Sequence, residues 1–147
     1  MDNPAVAAVL NQLLDEEQQS LAIRIDESTP FISMSEVAAG NVVRGMAKTA
    51  RLNREILTEM ILDCGGQPAP RRAELFTANL HYLDLFAVLP QLMQAQESVV
   101  ALYKQLTPRL ASDRKAAELA GKILTRHEAD LEKLRSVIAA EPAARAG

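Results

Sequence analysis

The sequence predicts an all-α protein built as a bundle of four long helices, and its composition is the first observation that points there. Its 147 residues include 24 Ala and 20 Leu, but only two Tyr, three Phe and no Trp. Ala and Leu are among the strongest helix formers, whereas β-strands favour aromatic and β-branched side chains. A chain of this length fits one domain with one core. We therefore expect residues 1–147 to form a single all-α domain.

Capping residues, glycines and prolines are the second observation, because they divide the chain into four helices. Asn3 is a suitable N-cap for a helix that has Pro4 at its first position. Ser33 and Glu36 have the spacing of a capping box, and Gly65-Gly66 can supply the left-handed conformation that ends a helix. Ser112 or Asp113 caps the last helix. The predicted helices cover about residues 4–26, 34–64, 79–106 and 113–140. The ordered core is about 4–139, and the tail 141–147 is expected to fray.

The lengths of the connections are the third observation, and they predict how the helices are arranged. Helices of this size are roughly 38–47 Å long and pack side by side as a bundle. The short links after the first and third helices predict antiparallel neighbours. Residues 65–78 can extend to about 46 Å. This segment is long enough to cross the whole bundle between the second and third helices.

Charge and cysteine content narrow the functional class. The chain has 16 basic and 19 acidic side chains, a net charge of −3, which argues against binding to nucleic acid. Its single cysteine, Cys64, cannot form an intramolecular disulfide. The sequence has no apolar run of membrane-spanning length, and its N-terminus lacks the basic stretch of a secretory signal. We expect a cytoplasmic protein that binds neither nucleic acid nor membrane.

Each predicted helix has a polar side chain on its apolar face, near the middle of the helix. These side chains are Glu17 on the first helix, Asn53 on the second, Glu97 on the third, and His127 with Asp130 on the fourth. The third helix also has a second apolar stripe, so its pattern does not decide whether Glu97 faces the core. An unpaired buried carboxylate is costly, and a bound cation would offset that cost. Three carboxylates and one imidazole suit iron, manganese or zinc.

Four segments of the sequence resemble one known superfamily. They are LNQLLDEE at 10–17, EILTEMILDCGGQP at 55–68, ESVVALY at 97–103 and HEADLEKL at 127–134. These segments resemble the helices of ferritin-like proteins, in particular four-helix bundles of the bacterioferritin and rubrerythrin type, and the resemblance covers residues 4–139. It implies a ferritin-like bundle with a long crossover between the second and third helices.

The resemblance also implies a metal site, although the family motif is broken here. A ferritin-like two-metal site takes a Glu from the first and third helices and Glu-x-x-His from the other two. Glu17 and Glu97 match this pattern as metal ligands. On the fourth helix the order is inverted, with His127 at the Glu position and Asp130 at the His position.

The second helix departs furthest from the family motif. Ala50 and Asn53 stand where the resemblance places a Glu and a His, so a carboxylate and an imidazole are both missing. An amide is a poor ligand for iron or zinc, and Asn53 is expected to donate a hydrogen bond to one of the carboxylates instead. The alternative for His127 and Asp130 is a buried polar network without metal.

Three functional hypotheses follow, and the sequence leaves open whether the protein is an enzyme. The first is a ferritin-like protein with a reduced or vestigial metal site, which holds one divalent ion (iron, manganese or zinc) or none and has weak or no oxidase activity. The second is a non-catalytic structural or interaction bundle, and the third is a di-iron oxidase or ferroxidase with unusual ligands. Convergence of Glu17, Glu97, His127 and Asp130 within about 2–2.5 Å of one point would distinguish them.

Extra apolar residues on the third predicted helix predict self-association. Leu85, Val88, Leu89 and Leu92 are more than a single core-facing stripe needs. Bundles of this class often pair through a helical face. We therefore expect a homodimer, while the physiological partner stays unidentified.

Overall fold

A computed structural model describes residues 2–28, 34–70 and 85–141, and these residues form an all-α bundle. The helices are α1 (Pro4–Gln18), α2 (Leu21–Ser28), α3 (Val37–Asp63), α4 (Leu85–Leu106) and α5 (Arg114–Ala139). Two short 3₁₀ turns cover Met34–Glu36 and Thr107–Leu110. Because α1 and α2 pack against the two halves of α3, the bundle has four columns: α1 with α2, α3, α4 and α5. The predicted all-α class is confirmed.

Two helices, α1 and α5, begin at capping residues that the sequence predicts. The Asn3 side chain accepts a hydrogen bond from the backbone N–H of Val6 (3.3 Å), with Pro4 in the first turn. The Asp113 side chain accepts one from the backbone N–H of Ala116 (3.1 Å). Each cap satisfies a backbone donor that has no partner inside its helix.

The end of α3 is a Schellman motif. Gly65 has a φ of +75°, and its N–H donates to the carbonyl of Leu62 at 3.0 Å. The N–H of Gly66 donates to the carbonyl of Ile61 at 2.9 Å. A left-handed residue is needed here, and glycine adopts that conformation without steric cost.

The first predicted helix is not continuous, which corrects the expectation of one helix to about Asp26. The helix is interrupted at Gln19 and Ser20, between α1 and α2. The hydroxyl of Ser20 accepts from the backbone N–H of Ile23 (3.3 Å), and the guanidinium of Arg24 donates to the carbonyl of Gln19 (3.3 Å). Both sides of the break are therefore capped by side chains. A serine that competes for backbone hydrogen bonds can interrupt a helix without Gly or Pro.

The apolar core is divided into two clusters along the bundle. The lower cluster is formed by α1, the C-terminal parts of α3 and α4, and the first half of α5; its fully buried members include Leu13, Leu57, Leu106 and Ile123. The upper cluster is formed by α2, the first parts of α3 and α4, and the end of α5; its fully buried members include Ile23, Ala47, Leu89 and Leu134. Polar side chains separate the two clusters.

The two clusters give the direction of each column. The C-terminal parts of α3 and α4 lie together in the lower cluster, beside the beginnings of α1 and α5. Hence α3 is antiparallel to the first column and α4 is antiparallel to α5, as predicted, while α3 and α4 run in the same direction.

The chain that leaves α3 runs along α1. The amide of Asn11 donates to the carbonyl of Gln67 (2.9 Å) and accepts from the N–H of Ala69 (2.8 Å). The amide nitrogen of Gln18 donates to the carbonyl of Ala69 at 3.2 Å. Residues 71–84, which include most of the predicted crossover and the expected start of a helix at residue 79, lie outside the described residues.

The buried carboxylate of Glu36 joins the beginning of α3 to α4. It is 2 % exposed and accepts a hydrogen bond from the backbone N–H of Phe86 at 2.8 Å. Ser33, the residue predicted to form a capping box with Glu36, lies outside the described residues. The tail from residue 142 onward also lies outside them. Within the described chain, Glu36 therefore supplies an acceptor to a backbone donor of α4.

The extra apolar residues of α4 are used inside the chain. Leu85, Val88, Leu89 and Leu92 are all at most 2 % exposed, and they belong to the upper cluster. The surface from which we inferred a homodimer is therefore absent at these positions, and the homodimer stays a prediction. None of the helices in the described ranges is long and apolar enough to cross a membrane.

Candidate functional site

Five buried side chains from all four columns form a polar layer between the two apolar clusters. They are Glu17 from α1, Asn53 from α3, Gln96 and Tyr103 from α4, and His127 from α5. Each is at most 6 % exposed. Polar groups at this depth need internal partners, since the cost of an unmade hydrogen bond is high. The polar layer is therefore the candidate functional site of the bundle.

The carboxylate of Glu17 is the centre of the layer. Its Oε2 accepts from the Tyr103 hydroxyl at 2.5 Å and from His127 Nε2 at 2.6 Å. Its Oε1 accepts from Asn53 Nδ2 at 3.4 Å. One carboxylate thus receives donors from three other columns, and hydrogen bonds to an ionised acceptor are the strong ones.

The position of the Gln96 amide indicates which ring nitrogen of His127 donates a hydrogen bond and which accepts one. Gln96 Nε2 donates to the backbone carbonyl of His127 (3.0 Å) and lies 3.1 Å from the ring Nδ1. A carbonyl only accepts, so this end of the amide is its nitrogen. Nδ1 then accepts as well, and the ring proton is on Nε2, where it is donated to Glu17. In this arrangement Nε2 is the donor of the ring and Nδ1 is its acceptor.

Tyr103 completes the layer as a permanent donor. Burial raises the pKa of its phenol well above the ordinary value, and the charge and hydrogen bond of Glu17 add to that effect. Its ring lies 5.1 Å from the ring of His127, tilted by 49°. The phenol therefore keeps its proton and holds the Glu17 carboxylate from the α4 side.

The expectation that Glu97 faces the core is wrong. Glu97 is exposed and lines a groove between α4 and α5 with Lys104 and Glu128. Gln96 takes the inward position. One residue is a rotation of about 100° on a helix, and the buried stripe of α4 continues from Leu92 through Gln96 to Val100, Tyr103 and Leu106.

Sequence reasoning missed Gln96 and Tyr103, although a signal existed for both. Gln96 is four residues after Leu92, and Tyr103 is seven after Gln96, which is the spacing of one helical face. Two competing apolar stripes on α4 hid this pattern. Only burial against the other columns decides which stripe is the core stripe.

Three of the four predicted metal ligands line one small cavity. Glu17, His127 and Asp130 lie around it together with Glu16 and Ser20, beside the break between α1 and α2. Its volume is about 30 Å³, which is roughly the space of one water molecule. Glu17 and His127 are in direct contact, whereas Asp130 is half-buried at the cavity wall.

The two half-buried acids of this cavity have raised pKa values. Burial is the main cause for both Glu16 and Asp130, and the charge of Glu17 adds to it. The neighbouring His127 acts in the opposite direction on both pKa values. Three carboxyl groups in one small cavity therefore disfavour one another's ionised forms.

The residues present do not fit a two-metal site of the ferritin-like type. Within residues 2–28, 34–70 and 85–141, no three His, Cys, Asp or Glu side chains converge in a way that could hold a metal ion. Where the resemblance expects ligands from the second helix, Asn53 presents its NH₂ group to Glu17. Among the described residues, the buried Asn53 Oδ1 has no hydrogen-bond partner. The expected role of Asn53 as a hydrogen-bond donor to a carboxylate is confirmed.

Comparisons of the chain with models of protein families, with curated proteins and with solved structures found no match. The ferritin-like assignment is therefore a proposal, which rests on the four sequence segments and on the arrangement of the columns. Metal binding by Glu17, His127 and Asp130 stays a prediction in the same way.

Proposed function

We propose that this protein is a ferritin-like helical bundle with a vestigial metal centre, in which the hydrogen-bonded polar layer takes the place of metal ions. We propose further that the bundle acts as a non-catalytic scaffold. One observation carries this proposal. The Glu17 carboxylate, the strongest candidate ligand, is already bound by donors from Tyr103, His127 and Asn53.

The direction of the columns supports the ferritin-like part of the proposal. The end of α3 lies at the lower cluster and the beginning of α4 at the upper one, so these two described helix ends are at opposite ends of the bundle. Its first described part, residues 66–70, already runs along α1 beside Asn11 and Gln18. A single long crossover between the second and third columns is the ferritin-like connection.

The chemistry of the layer supports the scaffold role. A buried hydrogen-bond network specifies how its elements align, because a shift breaks bonds that water does not replace. In this layer the exception among the described residues is Asn53 Oδ1, which has no partner. Here one carboxylate binds all three other columns at the same height. The layer therefore fixes the register of the helices, whereas the apolar clusters supply most of the burial.

The di-iron oxidase is the least favoured of the three hypotheses. It needs carboxylates from the first and third columns and ligands from the second. Glu97 faces solvent, and Ala50 and Asn53 offer no anionic ligand. The oxidase would require side chains of α3 and α4 to be replaced or to turn inward.

A second candidate function is the binding of one divalent cation in the cavity beside the layer. The observation that favours it is the placement of Glu16, Glu17 and Asp130 around a space of about 30 Å³. A cation there would offset the repulsion that raises the pKa values of Glu16 and Asp130. Carboxylate and imidazole side chains suit iron, manganese or zinc.

Metal content by mass spectrometry tests the proposal. Protein purified without chelator is challenged anaerobically with Fe(II), Mn(II) or Zn(II) and compared with a Glu17→Ala/His127→Ala variant. We expect equal metal in both proteins and a large loss of stability in the variant. Glu97→Gln, an exposed change on α4, is the control and should alter neither.

The other hypotheses predict different results. About one metal per chain, lost in a Glu16→Gln/Asp130→Asn variant, would replace the proposal with the cavity site. Two metals per chain with oxygen consumption would restore the oxidase. A Glu17→Ala/His127→Ala variant as stable as the wild type would contradict the scaffold role of the layer.

A further inference from the structure

We infer that the amide of Asn53 is the group that keeps a divalent cation out of the polar layer, so that changing this amide to a carboxylate creates a metal site. The inference rests on the proposed function, because it takes the hydrogen-bonded layer as the native state. It concerns the point between Asn53, Glu17 and His127. That point shares Glu17 and His127 with the cavity bounded by Glu16 and Asp130, which Asn53 does not line.

The positions of three atoms carry the inference. Asn53 Nδ2 lies 3.4 Å from Glu17 Oε1 and 3.4 Å from His127 Nε2. Zinc in a tetrahedral site has bonds of about 2.0–2.1 Å to nitrogen and oxygen, so two of its ligands are about 3.3–3.4 Å apart. The side chain at position 53 is thus already at ligand spacing from a carboxylate oxygen and from an imidazole nitrogen. His127 Nε2 and Glu17 Oε2, which are 2.6 Å apart, have to separate to that spacing when a metal enters.

The chemistry of the Asn53 side chain, and not its position, prevents binding. Its NH₂ group faces Glu17 Oε1 and His127 Nε2, and an amide nitrogen with its two hydrogens is a donor and not a ligand. Turning the amide over would bring Oδ1 against the Glu17 carboxylate, which is repulsive in the absence of a cation. The resting layer therefore keeps the nitrogen inward and leaves the buried Oδ1 without a partner among the described residues.

Gln96 reinforces this preference from the other side of the ring. Its amide nitrogen lies 3.1 Å from Nδ1 and so favours the imidazole with its proton on Nε2. A metal at Nε2 needs that nitrogen unprotonated, with the ring proton moved to Nδ1. Gln96 then has to turn its carbonyl oxygen toward Nδ1–H. The step therefore needs a turn of the Gln96 amide and a transfer of the ring proton from Nε2 to Nδ1.

The test is the variant Asn53→Asp, which replaces the NH₂ group with an oxygen of similar size. Zn²⁺ and Co²⁺ are titrated separately into the whole protein, with binding followed by calorimetry and by the visible spectrum of bound Co²⁺. We expect the variant to bind one ion per chain, roughly a hundredfold or more tighter than the wild type. The Co²⁺ spectrum should be that of a tetrahedral site with a nitrogen ligand.

Stability provides a second measurement on the same variant. Without metal, Asn53→Asp places a second carboxyl group beside Glu17 in a buried layer, so we expect it to unfold at a lower temperature than the wild type. Zinc should reverse this loss, because an ion that binds only the folded state stabilises it. At a zinc concentration of a hundred times Kd, the unfolding equilibrium constant should fall about a hundredfold.

Gln96→Glu is the matched control, since it makes the same chemical change in the same buried layer. Its new carboxylate would face Nδ1, on the side of the ring away from Glu17. We therefore expect no comparable gain in metal affinity. Equal gains in Asn53→Asp and Gln96→Glu would show that added negative charge decides, and would overturn the inference.

Two further variants make the result decisive. Asn53→Asp/His127→Ala should lose the gained affinity, and binding that persists there would contradict the assigned ligand. If Asn53→Asp does not fold without metal, Asn53→Cys replaces it, because Cys is smaller than Asn and offers a sulfur that zinc prefers. No zinc binding by either variant in its folded state, and no zinc-dependent folding, would overturn the inference and leave the proposed function intact. Metal binding by the wild type through Glu17 and His127 would instead contradict the proposed function.

Discussion

The hydroxyl of Tyr103 provides the most direct test of the polar layer. Tyr103→Phe removes the donor that Glu17 Oε2 accepts at 2.5 Å and leaves the aromatic ring in the lower cluster. Both residues are at most 2 % exposed, so water cannot easily replace the lost donor. The substitution therefore isolates one hydrogen bond to a buried carboxylate.

The expected loss follows from the charge of the acceptor. A hydrogen bond to an ionised group contributes about 1.5–3 kcal/mol, and the cavity left by one oxygen atom adds little. We expect Tyr103→Phe to lower the free energy of unfolding by about 2 kcal/mol. For a chain of this length, that corresponds to a fall in Tm of roughly 6–8 °C.

Urea denaturation at pH 7 measures the loss, and the slope of the free energy with urea should not change. A double-mutant cycle with Glu17→Gln assigns it to the pair. We expect a coupling energy of about 1 kcal/mol or more, because Tyr103→Phe should cost less once the carboxylate is gone. A loss below about 0.5 kcal/mol, or a coupling near zero, would refute the role given to Glu17 as the acceptor of the layer.

Three further predictions concern protonation and packing. Burial raises the pKa of Asp130, so its carboxyl group holds a proton more tightly in the folded protein than in the unfolded chain. Asp130→Asn should therefore match the wild type in stability below about pH 3.8. It should become more stable than the wild type as the pH rises through the pKa of Asp130 in the folded protein. Tyr103 has a pKa raised well above 10.0, so in an alkaline absorbance titration it should ionise only with unfolding, and stability should fall as the pH rises beyond that ordinary value. Gly66→Ala should lower the free energy of unfolding, measured in urea, by about 1–3 kcal/mol, because a Cβ there would lie 2.7 Å from Ala7 Cβ. A Cβ at Gly121 would have nothing within 4 Å, so Gly121→Ala should raise the free energy of unfolding by about 0.4–1 kcal/mol. The first prediction fails if the stability difference between Asp130→Asn and the wild type does not vary with pH. The second fails if Tyr103 ionises before the protein unfolds, and the third fails if the two glycine substitutions have equal effects.

Local signals in the sequence were enough to predict most helix boundaries. Asn3 and Asp113 cap their helices, and Gly65 ends α3 at a positive φ. These features depend only on a few neighbouring residues, whose backbone donors and acceptors must be satisfied locally. The break at Ser20 could not be predicted in this way, because serine also occurs inside helices, and here the break is completed by a contact from Arg24.

The sequence by itself determined that polar side chains interrupt the core at one height, and it identified Glu17, Asn53 and His127 among them. Their spacing within a single helix is sufficient for that inference. Only the tertiary structure decided that Gln96 and not Glu97 completes the layer, and that Tyr103 binds the same carboxylate as His127. Periodicity defines a stripe but cannot choose between two stripes that differ by one residue. That choice depends on which stripe the other columns bury, and the same burial decides whether the layer binds its own donors or a metal ion.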